Sequence, residues 1–256
     1  MVRNRTAFII AIVVVALCYI NSLPNDFVFD DGAIVGSNPA IRTISPVRFL
    51  KSPYWTSQQY LGIYRPFTIF SLSVDYAIWK RWAPGFRLTN LVLHAINGFL
   101  LFLLCRSLFL DRRALSDPRS QPLMAGEAIV PLAAMLIYLV HPVHTEAVTS
   151  IVGRSDLFAA GFLMTAWLLF RRGKTLWPAI LFFLALLSKE NAIVLPAILL
   201  LDAWLSKCDF SWKRFSAIAA VAPVYLALRF SVLGRLGIPT SAQYLAGHFS
   251  YGVRLM

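Results

Sequence analysis

Seven apolar runs, at 7–20, 86–109, 128–140, 157–170, 176–187, 192–205 and 215–228, leave this chain little choice of fold. Several approach the roughly 20 residues that cross a bilayer, and 58% of the chain is hydrophobic, more than a water-soluble domain of this length needs. In lipid every backbone N–H and C=O must find a partner inside the protein, which leaves helices or a closed barrel. The runs lack the alternation of barrel strands, so the fold class is an all-α polytopic membrane protein of about seven spans. The bilayer is the partner this demands. A net charge of +12 does not add nucleic acid, because the basic residues are scattered and no RNA- or DNA-binding motif is present.

Charge orients the spans. Arg3 and Arg5 precede the first run, and Cys18-Tyr19-Ile20-Asn21 offers no small-x-small cleavage site, so it reads as an uncleaved span with its N-terminus in the cytoplasm. Alternation then gives the cytoplasmic segments Arg106, Arg112, Arg113, Arg119, Arg171, Arg172, Lys174, Lys207, Lys213 and Arg214, and the two short outer loops only Arg154 and Lys189. Cys18 and Cys105 fall in or beside spans and Cys208 in a cytoplasmic loop, so no disulfide framework is implied. The long outer loop, 21–85, opens on the aromatic and acidic Asn25-Asp26-Phe27-Val28-Phe29-Asp30-Asp31-Gly32. An interfacial segment follows, with Phe49, Leu50, Tyr54 and Trp55 among Arg48 and Lys51. Residues 67–82 then form an amphipathic helix expected in or dipping into the interface, with Phe67, Phe70, Val74 and Ile78 on one side and Asp75 interrupting it.

Between the third and fourth runs stands His141-Pro142-Val143-His144-Thr145-Glu146-Ala147-Val148-Thr149-Ser150-Ile151-Val152-Gly153-Arg154-Ser155-Asp156. A lone Asp or Arg at membrane depth costs roughly 2.5–3.5 kcal/mol on insertion scales. So many ionisable groups beside hydrocarbon point to a cavity where something is bound or transformed. A polar connector with Pro142 starting a helix, and Thr145 and Ser155 as caps, accounts for the same residues. Other polar positions favour the cavity. Asn90, His94 and Asn97 share one helix face, which should point into the bundle. The 13-residue run 128–140 rises only about 20 Å as a helix, against roughly 30 Å of hydrocarbon, and the fifth and sixth runs are near that length. The tips at His141 and at Lys189-Glu190 are therefore expected below the outer surface, around one outward-facing cavity with the acidic first loop and the His94 face.

Taken in order, Phe27-Val28-Phe29-Asp30-Asp31, Tyr64-Arg65-Pro66, Asp75-Tyr76, Asn90-Leu91-x-Leu93-His94-x-x-Asn97, His141-Pro142-Val143-His144-Thr145-Glu146-Ala147-Val148 with Gly153-Arg154-x-Asp156, and Leu187-Ser188-Lys189-Glu190 closely resemble a known family. It is the membrane part of the transmembrane and tetratricopeptide-repeat-containing protein O-mannosyltransferases, which are C-type (GT-C) glycosyltransferases. The resemblance runs from about residue 21 to 229 and implies a GT-C-like helical bundle. It also implies a tetratricopeptide array beyond residue 256, so that 1–256 is expected to be the transmembrane domain of something longer.

The implied activity is transfer of a sugar, mannose, from a polyprenyl- or dolichyl-phosphate donor to a Ser or Thr hydroxyl of a protein acceptor on the outer or lumenal side. The membrane would be a bacterial inner membrane or the endoplasmic reticulum. An attacking hydroxyl must lose its proton, which calls for a carboxylate, and Asp30 or Asp31 matches the acidic first-loop position where this class places it. A turn in which the two acids cap a helix is the competing reading. The leaving phosphate gains negative charge that fixed cations stabilise; Arg65, Arg154, Lys189 and Arg229 are the candidates, with His141, His144, Glu146, Asp156 and Glu190 as further donor-binding groups. The resemblance allows a divalent cation, Mg or Mn, at Asp30 or Asp31 without requiring one. Two rivals remain: a membrane transporter, which predicts broken helices in matching halves, and a non-catalytic scaffold, which predicts decay of the acids.

Overall fold

Helices occupy all seven apolar runs. The structure, a computed structural model, describes residues 3–51, 53–54, 62–116, 125–206 and 210–234; Trp55, Arg119, Lys207, Cys208 and the terminal stretch 246–256 lie outside them. α1 is Asn4–Tyr19, α4 Ala83–Ser116, α5 Ala125–Val140, α7 Arg154–Arg171, α8 Leu176–Ser188 and α9 Leu195–Ser206, while α10 (Trp212–Ala219) and α11 (Val221–Leu233) share the last run. The long first loop contributes α2, Pro46–Lys51, and α3, Pro66–Trp79, and the polar block contributes the short α6, Thr145–Thr149. Among the described residues there is no strand.

Among the described residues, four segments are long and apolar enough to cross a bilayer: Asn4–Ser22, Ala83–Phe109, Ile151–Arg171 and Trp212–Leu233. A fifth results if Ile129–Val140 and Pro142–Thr149, bent by 50° at His141, count as one span. The bend has a local cause. Pro142 has no N–H to continue the α5 ladder, and His141 turns extended and caps the next turn by accepting from Val143 N at 3.2 Å. α8 and α9 have 13 and 12 residues, so each rises only about 20 Å. The protein is a multi-pass membrane protein. Its outward faces agree: Ile9, Ile12 and Leu17 of α1, Ile137 of α5 and Trp204 of α9 are exposed apolar side chains suited to lipid.

α4 is the central helix, packed against α1, α5 and α7. On α1 the facing stripe is Ala7, Ala11, Val15 and Tyr19, spaced by four. The α4–α7 approach depends on Gly161, where a Cβ would stand 2.6 Å from Asn97 Oδ1. That amide is fixed from the other side, donating to Leu157 O at 2.8 Å. The expectation for α3 needs a correction. Its buried face is Thr68, Ile69, Leu72, Ser73 and Asp75, packed into the bundle, while Ile78 from the expected apolar side is 62% exposed. Polar groups find partners there: Thr68 donates to Ser188 O at 3.1 Å. Gly161→Ala should therefore cost about 1–3 kcal/mol as an overpacked contact, read as a lower thermal midpoint. Gly36→Ala, where a Cβ would meet nothing, should leave the midpoint unchanged.

Candidate functional site

The polar loops meet at one end of the bundle, and a buried guanidinium joins them. Arg87 donates to Asn25 O and Asp26 O of the first loop and, at 3.0 Å, to Thr149 O of α6. Its charge also stands 3.9 Å from Asp31. Asp31 is itself fully buried: Oδ1 accepts from Val152 N at 3.1 Å and Ser150 Oγ at 3.3 Å, and Oδ2 from Val28 N at 3.5 Å. Asp31 thus staples the first loop to the turn Ile151–Gly153. That turn is tight: a Cβ on Gly153 would lie 2.6 Å from Ala147 O, which explains the glycine before Arg154.

Asp30, one residue earlier, is exposed and lines a cavity of about 560 Å³. Facing it are Arg65, Tyr138, His144, Glu146, Asp156 and Lys189. Each comes from the end of an apolar helix or the turn beyond it. Two cations enter this cavity, and each has a bidentate carboxylate partner. Lys189 Nζ meets Asp156 at 2.6 and 2.7 Å, and Arg65 meets Glu190 at 3.0 and 3.2 Å. Burial pushes the Glu190 carboxyl up, but the Arg65 hydrogen bonds and charge outweigh it and hold the group below its ordinary value. The His144 ring packs on Tyr138, centroids 4.4 Å apart.

Besides Asp31, four expected site residues stand outside the cavity lining. Arg154 does not enter the cavity: it is fully buried behind it, donating to Asp75 at 2.6 Å, Asn90 Oδ1 at 3.2 Å and Phe86 O at 3.0 Å. Nη1 is left without a partner, but the whole group is buried and none of it lines the cavity, so it does not reach a phosphate there. His141 spends Nδ1 on its cap and is absent from the lining. Arg229 is buried against Gly62 O at 3.1 Å, and Glu190 backs Arg65 without lining the cavity. Asn90, His94 and Asn97 do face the bundle, all buried, but as support: Asn90 ties down Val148 O and Ser150 O, and His94 Nε2 lies 3.2 Å from Leu139 O. A divalent cation at Asp30 or Asp31 does not fit this donor set. Among the described residues no three His, Cys, Asp or Glu side chains converge, and the Asp31 oxygens are committed to protein donors.

Sequence reasoning passed over Arg87, Tyr138 and the Asp202 partner of Arg171 at the other end of the bundle. A signal existed for two of them, since Arg87 and Asp202 are charges inside predicted apolar runs.

Burial raises the Asp31 carboxyl above its ordinary value, although the backbone donors and Arg87 pull it down. A raised folded value means that Asp31 contributes stability below its unfolded pKa and loses it as pH rises through the folded one. Asp31→Asn, which does not titrate, should therefore gain in thermal midpoint relative to wild type as pH rises above about 4, the ordinary value of the unfolded carboxyl.

No protein-family model matches the chain, and no solved structure gives a significant match. Among curated proteins, Protein O-mannosyl-transferase TMTC3 of Mus musculus is 32% identical over 166 residues, 63% of this chain and 16% of that protein. The Homo sapiens protein of the same name is 29% identical over 242 residues, 91% of this chain and 23% of its own length. Protein O-mannosyl-transferase Tmtc1 of Drosophila melanogaster is 30% identical over 187 residues, 68% and 20% respectively. The chain spans between 16 and 23% of the length of these relatives.

Proposed function

The chain belongs to the TMTC protein O-mannosyl-transferase family, and from that premise we propose that its cavity transfers mannose from a polyprenyl-phosphate donor to a Ser or Thr hydroxyl of a protein acceptor, on the outer or lumenal side of the membrane. The observation that carries this reading is the position of Asp30: an exposed carboxylate across one cavity from Arg65 and Lys189. Such a reaction needs a base for the acceptor and cations for the departing phosphate, in reach of one anomeric carbon. Asp30 takes the hydroxyl proton as the acceptor oxygen attacks. Lys189 and Arg65 hold the phosphate, and His144, Tyr138 and Glu146 are placed to hydrogen-bond sugar hydroxyls.

The lipid tail has its own exit. Pro66, Phe67 and Phe70 of α3, Phe49 and Leu50 of α2, and Leu187 of α8 line an apolar groove of about 200 Å³. Arg65 precedes Pro66, and Lys189 lies two residues beyond Leu187. A phosphate on the two cations would therefore send its first isoprene units into apolar lining, while the mannose faces Asp30.

The test of the base is a pair of neighbours. Asp30→Asn should bind the donor and lose at least about 10²-fold in transfer, the low end for a positioned general base. Asp31→Asn should keep most of the rate, because Asp31 supports the loop and does not enter the cavity. Near-normal transfer by Asp30→Asn would move the base, with Glu146 next. Lys189→Gln should slow turnover about 10²-fold with the protein still inserted.

The side of the membrane is tested separately. In a cysteine-free background of the full-length protein, a cysteine at Ser37 should react with an impermeant thiol reagent applied to the outer or lumenal face. One at Lys213 should be shielded until the membrane is permeabilised. The reverse pattern would turn the cavity toward the cytoplasm.

A further inference from the structure

Asp156 has a role in this cavity that neither base nor cation explains. Both its oxygens lie on the Lys189 ammonium, at 2.6 and 2.7 Å, yet 47% of its side chain stays exposed, against 21% for Lys189. Both residues line the cavity. The second pair is built differently: Arg65 lines the cavity while Glu190 stands behind it. One cation therefore keeps its counter-ion in the same space as the ligand, and the other does not.

We propose that Asp156 is an internal counter-ion that competes with the phosphate of the spent carrier for Lys189 and so drives product release, an inference that rests on the polyprenyl-phosphate reading above. In the transfer the acceptor oxygen bonds to the anomeric carbon as the bond from that carbon to the phosphate oxygen breaks. The electron pair of the broken bond stays on the phosphate, and the hydroxyl proton passes to Asp30. The donor is a phosphodiester with one negative charge, whereas the product is a phosphomonoester approaching two at neutral pH. Charge alone would make the product bind Lys189 and Arg65 more tightly than the donor, and the site would trap it. A carboxylate already within hydrogen-bond distance of Nζ takes the ammonium back without travelling, at the moment the sugar contacts that held the donor are gone. Glu146 lines the same cavity outside any ion pair among the described residues, so it adds negative field but cannot exchange partners in this way.

Asp156→Asn keeps the shape and removes the charge. The full-length protein in detergent micelles is titrated calorimetrically with farnesyl phosphate and, as the uncharged tail, with farnesol; Glu146→Gln controls for loss of any one charge from the cavity. Asp156→Asn should bind farnesyl phosphate about tenfold more tightly than wild type, with farnesol binding unchanged. Its transfer reaction should show a lower KM together with a lower kcat, as release becomes limiting. In a Lys189→Gln background the same substitution should change nothing, since the competition has lost its object. Equal tightening by Glu146→Gln would overturn the proposal in favour of a general field. Phosphate-dependent binding no tighter in Asp156→Asn than in wild type would overturn it while leaving the donor reading in place. Binding of farnesyl phosphate no better than farnesol in every protein would remove the donor reading and this role together.

Discussion

Two guanidinium groups with almost no water of their own hold the site end of the bundle together. A buried cation is tolerable only when its N–H groups find acceptors, and an unpartnered one costs several kcal/mol. Arg87 finds them on the first loop and α6, and Arg154 finds them for Nε and Nη2 on α3 and α4, with Nη1 left over. The acceptors are drawn from segments far apart in sequence. Satisfying the charges and assembling the cavity wall are thus one event. The arrangement also explains why two carbonyls here accept from side chains: Thr149 O is taken by Arg87 and Val148 O by Asn90.

Adjacent residues in the first loop divide the work. Asp31 gives its oxygens to Val152, Ser150 and Val28, and becomes part of the wall. Asp30 is left to the cavity, carried on a backbone whose next residue is fixed. The step before it is unusual: Phe29 has φ 46° and a fully exposed ring, a conformation that bulky side chains rarely adopt. Arg154 and Lys189 part in the same way. Both are cations close to an acid in sequence and near the end of an apolar run, yet Arg154 pairs across to Asp75 behind the cavity and Lys189 pairs with Asp156 inside it.

Much of this was legible in the chain. The helices follow from apolar runs and backbone pairing, and the inward face of Asn90, His94 and Asn97 from their spacing. The polar block and the acidic loop were recognisable as one site. What sequence could not separate was the direction in which each charge faces. Asp30 and Asp31 differ by one position, and only the pairing of Asp31 with Val152 N tells them apart. Arg154 looked like a ligand because its partner Asp75 lies 79 residues away on a helix expected at the interface. The buried face of α3 was misjudged for the same reason. Its polar Thr68 and Asp75 turn inward because acceptors and donors from α7 and α8 wait there, and hydrophobic periodicity carries no record of such partners.

The short α8 ties the site to the thickness of the bilayer. Thirteen residues rise less than the hydrocarbon they stand in, so Lys189 cannot reach a distant surface without drawing the lipid down to it. Local thinning costs fractions of a kcal/mol per Å of mismatch, modest amounts that nevertheless sort proteins between thin and thick membranes. The cavity, the groove beside Pro66 and the lysine between them are therefore matched to a particular lipid depth, and a thicker, sterol-rich membrane would strain that match.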